Sequence, residues 1–138
     1  MIRRAGPDDM TAVFDIRAKV FIEEQGVPEA EERDGRDAAA LHLIAFADET
    51  AVGTARLLVA DTTGKIGRVA VLLSHRGRGL GQDLIKAALI EFQNRGLTQA
   101  KLGAQTHAIG FYEALGFEAT GPEYTDAGIP HRDMIRAL

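Results

Sequence analysis

Ile66-Gly67-Arg68-Val69-Ala70-Val71-Leu72-Leu73-Ser74-His75-Arg76-Gly77-Arg78-Gly79-Leu80-Gly81-Gln82 runs from a strand pattern into a helix pattern through a glycine-rich loop. Ile66 to Leu72 is apolar and β-branched with a glycine inside it, which hints at a bulge or a close backbone approach. From Leu80 onward, Leu80, Leu84, Ile85, Ala88, Leu89 and Phe92 fall on one helical face, and Gly96 ends the run. The glycines between the two elements open backbone conformations closed to other residues and let bare N–H groups approach an anion. The helix N-terminus adds roughly half a positive charge. Phosphate is the natural guest.

Elimination narrows the phosphate ligand. A nucleoside-triphosphate loop needs G-x-x-x-x-G-K-[ST], and here Gly64-Lys65 is followed by Ile66. A dinucleotide fingerprint needs G-x-G-x-x-G, but counting from Gly77 and Gly79 the third position is Gln82. R-x-x-G-x-G fits, as Arg76, Gly79 and Gly81.

Upstream of the loop, Pro7-Asp8-Asp9 suits the start of a helix that runs to about Glu24, with Met10, Val13, Phe14, Val20 and Phe21 as its apolar stripe. Arg17 falls on that stripe where a leucine is expected. Gly26 and Pro28 stop the helix, and Pro28 to Ala40 reads as an acidic loop. Leu41 to Phe46 and Val52 to Val59 read as strands joined by the turn Asp48-Glu49-Thr50, and Asp61 to Gly64 as the turn into the strand from Ile66. Downstream come a short strand Ala100 to Gln105, a short helix His107 to Leu115 closed by Gly116, and a strand Phe117 to Thr120. Gly121-Pro122 reads as a break, and His131 to Arg136 as a last alternating strand. No repeat, low-complexity stretch or linker divides residues 1–138, which is one domain's worth of chain.

Composition sets outer limits. With 46% hydrophobic and 26% charged residues the chain is ordinary globular material. It has no cysteine, which removes a thiol nucleophile and any cysteine-ligated metal, and no histidine pair has metal-site spacing, so no metal is expected. No apolar run is long enough for a membrane span and no signal-peptide pattern opens the chain, so a cytoplasmic protein without a membrane partner is expected. A net charge of −4 with 6% aromatics argues against a nucleic-acid partner. The distribution says more than the sum. Residues 23–37 hold seven acids against Arg33 and Arg36, while Arg68, Arg76 and Arg78 stand without an acid between residues 68 and 81.

The chain resembles the GNAT superfamily of acyl-coenzyme A N-acyltransferases. Arg68-Val69-Ala70-Val71 followed by Arg76-Gly77-Arg78-Gly79-Leu80-Gly81 is similar to that family's acetyl-CoA segment. Ala108-Ile109-Gly110-Phe111-Tyr112-Glu113-Ala114-Leu115-Gly116-Phe117 is similar to its A-x-x-F-Y-x-x-x-G-F segment. Glu23-Glu24-Gln25-Gly26-Val27-Pro28 resembles the small bacterial ElaA-like branch, and Gly128-Ile129-Pro130-His131 resembles that branch and glyphosate N-acetyltransferase. The resemblance implies an α/β (α+β) fold: a mixed, largely antiparallel twisted sheet, helices on both faces, and a V-shaped cleft between two central strands. It implies acetyl-CoA as cosubstrate, with Val69, Ala70 and Val71 along pantetheine and Arg76, Gly77, Arg78, Gly79, Leu80, Gly81 and Gln82 around pyrophosphate. Where many family members carry an asparagine, seven residues before the F-Y tyrosine, this chain has Gln105.

Amide formation from a thioester needs a neutral amine, a positioned carbonyl, a donor for the developing oxyanion and an acid for the leaving thiolate. By its place in the motif Tyr112 is the expected acid, and His131, on the last strand, the expected base, an imidazole being a side chain that can take a proton from an amine. His42, His75 and His107 read as structural. Arg17 and Arg68 are expected to make a fork for an anionic group on the acceptor, beside Gln105; the acidic loop Glu23 to Asp37 points the other way, toward a cationic amine or polyamine, but reads as solvated. Without cysteine or a G-x-S-x-G serine, direct attack on a small-molecule primary amine in a ternary complex is expected rather than an acyl-enzyme. Two other readings stand beside it: a non-catalytic acyl-CoA-binding protein and an interaction module. An exposed last strand would allow a homodimer.

Overall fold

Alternation places Leu43 and Ala45 of one strand beside Ala55 and Leu57 of the next, which gives a sheet one apolar face and leaves Thr54 and Arg56 on the other. The computed structural model describes residues 1–138. Seven strands form one sheet: β1 (Ile2–Arg4), β2 (Leu41–Ala47), β3 (Thr50–Ala60), β4 (Thr63–Val71), β5 (Gln99–Gln105), β6 (Glu118–Asp126) and β7 (Ile129–Ala137). Their order is β1-β2-β3-β4-β5-β7-β6, and only the β4–β5 pairing is parallel. The mixed, largely antiparallel sheet expected from the sequence is present.

Helices cover both faces. Those labelled here are α1 (Met10–Arg17), α2 (Glu29–Glu32), α3 (Leu80–Asn94) and α4 (Ile109–Glu113). Leu84, Ile85, Ala88, Leu89 and Phe92 of α3 are buried against Leu43, Ala45, Ala55, Leu57 and Ile66, and this is the main core. On the opposite face Ile16 of α1 and Val20 pack with Ala70 of β4 in a smaller cluster.

The first helix differs from the single span expected between Pro7 and Glu24. A 3₁₀ turn at Pro7–Asp9 leads into α1, and Ala18–Glu24 continues as a π-helix. Its end is closed by Gly26 at φ +71°, with the Val27 N–H bonded to the Phe21 carbonyl at 2.9 Å and the Gly26 N–H to the Ile22 carbonyl at 3.1 Å. β1 was not foreseen, being three residues long. The Gly121-Pro122 break is also absent: β6 runs through it, with Gly121 at φ +74° and a register irregularity between Thr120 and Tyr124. Proline is tolerated there because β6 is the sheet's edge.

Gly64 shows how tightly α3 sits. A Cβ on it would lie 2.6 Å from the ring of Phe92, which is fully buried. Gly64→Ala is therefore expected to cost about 1–3 kcal/mol through overpacking, read as a lower urea midpoint with an unchanged slope.

Candidate active site

β4 carries one more residue than β3 at its centre. Thr54 faces Ala70 while Arg56 faces Gly67, so the register shifts between them, and Arg68 at the bulge has φ +48°. The bulge reverses the side-chain phase of the strand. Ile66 faces α3 before it, and Val69 and Val71 face the same way after it, while Ala70 meets α1's side. The bulge also marks where the parallel pairing stops. β4 and β5 are matched only from Thr63–Gln99 to Ile66–Leu102, and beyond that point they separate.

A cleft of about 260 Å³ fills the opening, walled by Gly67, Arg68 and Val69 of β4 and by Gly103 and Gln105 of β5. Tyr112 of α4 and His131 of β7 both reach it. The Tyr112 ring is fixed edge-on between Phe111 and Phe117, with centroids 5.0 and 6.1 Å away. Its hydroxyl has no protein partner, and burial pushes the phenol above its ordinary pKa, so it stays protonated. Nδ1–H of His131 donates to the Ile129 carbonyl at 2.7 Å, which leaves Nε2 as the unprotonated nitrogen of the neutral ring. The imidazole stacks on Tyr124, with centroids 5.9 Å apart, and Tyr124 donates to Asp133 Oδ1 at 2.7 Å. That arrangement requires Gly103, since a Cβ there would lie 2.5 Å from the Tyr124 hydroxyl.

Gln105 bridges the cleft. Its Nε2 donates to Gln25 Oε1 at 3.0 Å and its Oε1 accepts from His107 Nε2 at 2.7 Å, so β5 is tied to the end of the π-helical segment. Sequence reading had no sign of this tie, because 80 residues separate the two glutamines.

The loop beyond β4 is built for an anion. Gly77 and Gly79 have φ of +78° and +80°, and no backbone N–H from Gly77 to Gln82 finds an acceptor in the protein. A pyrophosphate fits this run of free donors at the start of α3. Arg76 braces the loop from within, donating from Nε to the Val71 carbonyl and pairing with Glu24, each at 2.9 Å. Arg78 has no such partner and is exposed. A branched residue at Gly79 would be strained at that φ. Gly79→Val is thus expected to weaken acetyl-CoA binding at least tenfold by calorimetry, with urea unfolding reading a loss of about 1–3 kcal/mol from the same backbone strain.

The arginine fork expected of Arg17 and Arg68 is not formed. Arg17 has no exposed side-chain surface, and its guanidinium is taken by Glu32 in a bidentate pair, by Asp37 at 2.6 Å and by the Glu32 carbonyl. Arg68 does reach the cleft, but its Nε meets Glu32 Oε2 at 3.0 Å and its Nη2 meets Asp34 and the Glu31 and Glu32 carbonyls of α2. Arg56, buried on β3, holds Asp34 through two parallel bonds of 2.8 and 2.9 Å. The acidic loop is accordingly not a solvated one. Three arginines on α1, β3 and β4 tie Glu32, Asp34 and Asp37 down against the sheet. The Arg56 hydrogen bond holds the Asp34 carboxyl well below the usual range. At Asp37 burial pushes up, and the Arg17 and Arg56 contacts outweigh it, leaving that carboxyl lowered too.

A parallel strand pair that splays beside a glycine loop of free amides is the arrangement that the resemblance to acyl-CoA N-acyltransferases implies. The chain belongs to the GNAT acetyltransferases: the model of the acetyltransferase (GNAT) domain matches residues 8–138. A Bacillus subtilis protein named provisionally as an acetyltransferase is 39% identical over 131 residues, covering 93% of this chain and 89% of its own. Among solved structures, an acyl-CoA N-acyltransferase of Pseudomonas aeruginosa superposes with a TM-score of 0.87 at 32% identity, covering 99% of this chain and 98% of its own. ElaA of Escherichia coli superposes with a TM-score of 0.86 at 30% identity, with 99% of each chain covered. No helix is long and apolar enough to cross a membrane.

Proposed function

We propose that the protein transfers an acetyl group from acetyl-CoA to a primary amine of a small molecule by direct attack. The observation that carries this reading is one cleft reached by both an unpartnered, protonated Tyr112 hydroxyl and a His131 whose Nε2 is free. The free amides of Gly77 to Gln82 would hold the pyrophosphate, and Val69 to Val71, where β4 has lost its parallel neighbour, would line pantetheine. A strand N–H there polarises the thioester carbonyl. Nε2 of His131, directly or through a water, takes the proton from the amine as nitrogen attacks the carbonyl carbon. As the C–S bond breaks, the Tyr112 hydroxyl gives its proton to the thiolate sulfur, and the products are the amide and free CoA thiol.

Calorimetric titration with acetyl-CoA, and separately with NAD, followed by a free-thiol assay over a panel of amines, tests the reading. Acetyl-CoA binding together with amine-dependent thiol release is expected. Binding without release on any amine would favour a non-catalytic acyl-CoA-binding protein, and no binding would sink the account of the glycine loop.

A further inference from the structure

Resting on that reading, the charges of the cleft point to its acceptor. Beside the protonated Tyr112, five residues that line it have side chains that can carry charge near neutral pH: Glu31, Glu32, Arg68, Asp126 and His131. Glu32 and Arg68 belong to the cluster in which Arg17, Arg56 and Arg68, with Arg33 at the rim 4.0 Å from Asp37, face Glu32, Asp34 and Asp37, so each of these carboxylates is already answered. Two guanidinium nitrogens of this cluster lack an acceptor, the buried Nε of Arg56 and Nη1 of Arg68; of these two arginines only Arg68 lines the cleft, and its charge is shared between two carboxylates. Glu31 and Asp126 are in a different position. Neither carboxylate has an ion-pair or hydrogen-bond partner, and both residues line the cleft, Glu31 from α2 and Asp126 from the end of β6. Arg132, near the β6–β7 hairpin, is turned to the Gly121 carbonyl. The cleft therefore has two unanswered negative charges and no unanswered positive one beside its base.

We infer that the acceptor is a small dicationic amine of the diaminoalkane type, held by Glu31 and Asp126. One nitrogen gives up its proton to His131 and attacks, while the other remains an ammonium against the carboxylates. The cavity suits such a guest in size and lining. At about 260 Å³ it lies at the small end of ligand clefts, and Phe21, Val27 and Ile129 offer an apolar wall for methylenes. An acceptor bearing a carboxylate or phosphonate would meet these acids and the neutralised Arg68 instead of a free guanidinium.

Steady-state kinetics with saturating acetyl-CoA distinguish the cases, using 1,4-diaminobutane, n-butylamine and 3-aminopropylphosphonate as acceptors. The diamine is expected to exceed butylamine in kcat/KM by about tenfold, the effect of two solvent-accessible ion pairs, and the advantage should shrink as salt is raised. In the Glu31→Gln/Asp126→Asn variant the ratio of the two amines should fall toward one, with the aminophosphonate gaining relative to both. Equal or better turnover of butylamine or the aminophosphonate by the unmodified protein would overturn the charge inference and leave amine acetylation standing. A retained diamine preference in the double variant would overturn the assignment of Glu31 and Asp126. Thiol release with none of these or other amines, despite acetyl-CoA binding, would overturn the acetyltransferase reading and the acceptor with it.

Discussion

Tyr112→Phe should lower kcat by roughly 100-fold or more, the usual contribution of a positioned general acid, while acetyl-CoA binding measured by calorimetry stays within about twofold. The expectation follows from what the ring touches. Its edge contacts with Phe111 and Phe117 are made by carbon atoms and survive in phenylalanine, and its hydroxyl has no protein partner to lose. The fold should therefore be as stable as before, and only proton delivery to the departing sulfur is removed. The pH profile supplies a second readout. Because burial raises the Tyr112 pKa, the unmodified enzyme should lose activity on the alkaline side only above the ordinary tyrosine value of about 10, and that limb should vanish in the variant. A fall in kcat of less than threefold, with the alkaline limb retained, would show that the thiolate leaves without help from this residue.

What the sequence made legible was local. The strand, glycine loop and α3 could be read because each rests on spacing within some twenty residues, and the bulge was announced by Gly67 one position before Arg68. Tyr112 and His131 were reached through motif position, and the structure brings both to one cleft. The charged cluster was not legible, for a physical reason. Arg17 on an apolar stripe and Arg56 inside a buried strand were each out of place, and the seven acids of residues 23–37 formed their own anomaly. The pairing of these anomalies spans 15 to 36 residues, and nothing local says which acid meets which arginine. Reading Arg17 as a ligand for substrate and the acids as solvated treated as separate two halves of one network. The better signal was arithmetic: an arginine fixed at a core position demands a buried anion.

That network makes Arg17→Met the substitution with the largest expected effect on stability. Arg17 is fully buried and Glu32 is 2% exposed, so deleting the guanidinium leaves a carboxylate out of water with only Arg68 to answer it. Removing one member of a buried ion pair costs about 3–5 kcal/mol, and a urea melt should read a loss of that size. Arg17→Lys should recover little of it, because a single ammonium cannot serve the bidentate contact to Glu32 and the contact to Asp37 together. Acid should act on the same network. Asp34 and Asp37 have lowered pKa values in the fold, so their stabilisation is complete above the unfolded carboxylate value of about 3.9 and is lost as pH falls through the lower folded values. The unmodified protein should keep its stability to about pH 4 and lose it below, with the Asp34→Asn variant showing a shallower acid limb. The consequence reaches function through α2. Because the network holds Glu31 and Glu32 in the wall of the cleft, the Arg17→Lys variant, at a temperature where it remains folded, should raise the KM for the amine while acetyl-CoA binding on the far loop is preserved. Loss of both affinities together would mean that the arginine cluster supports the whole splayed strand pair; loss of the acceptor's alone would assign it to the acceptor's wall.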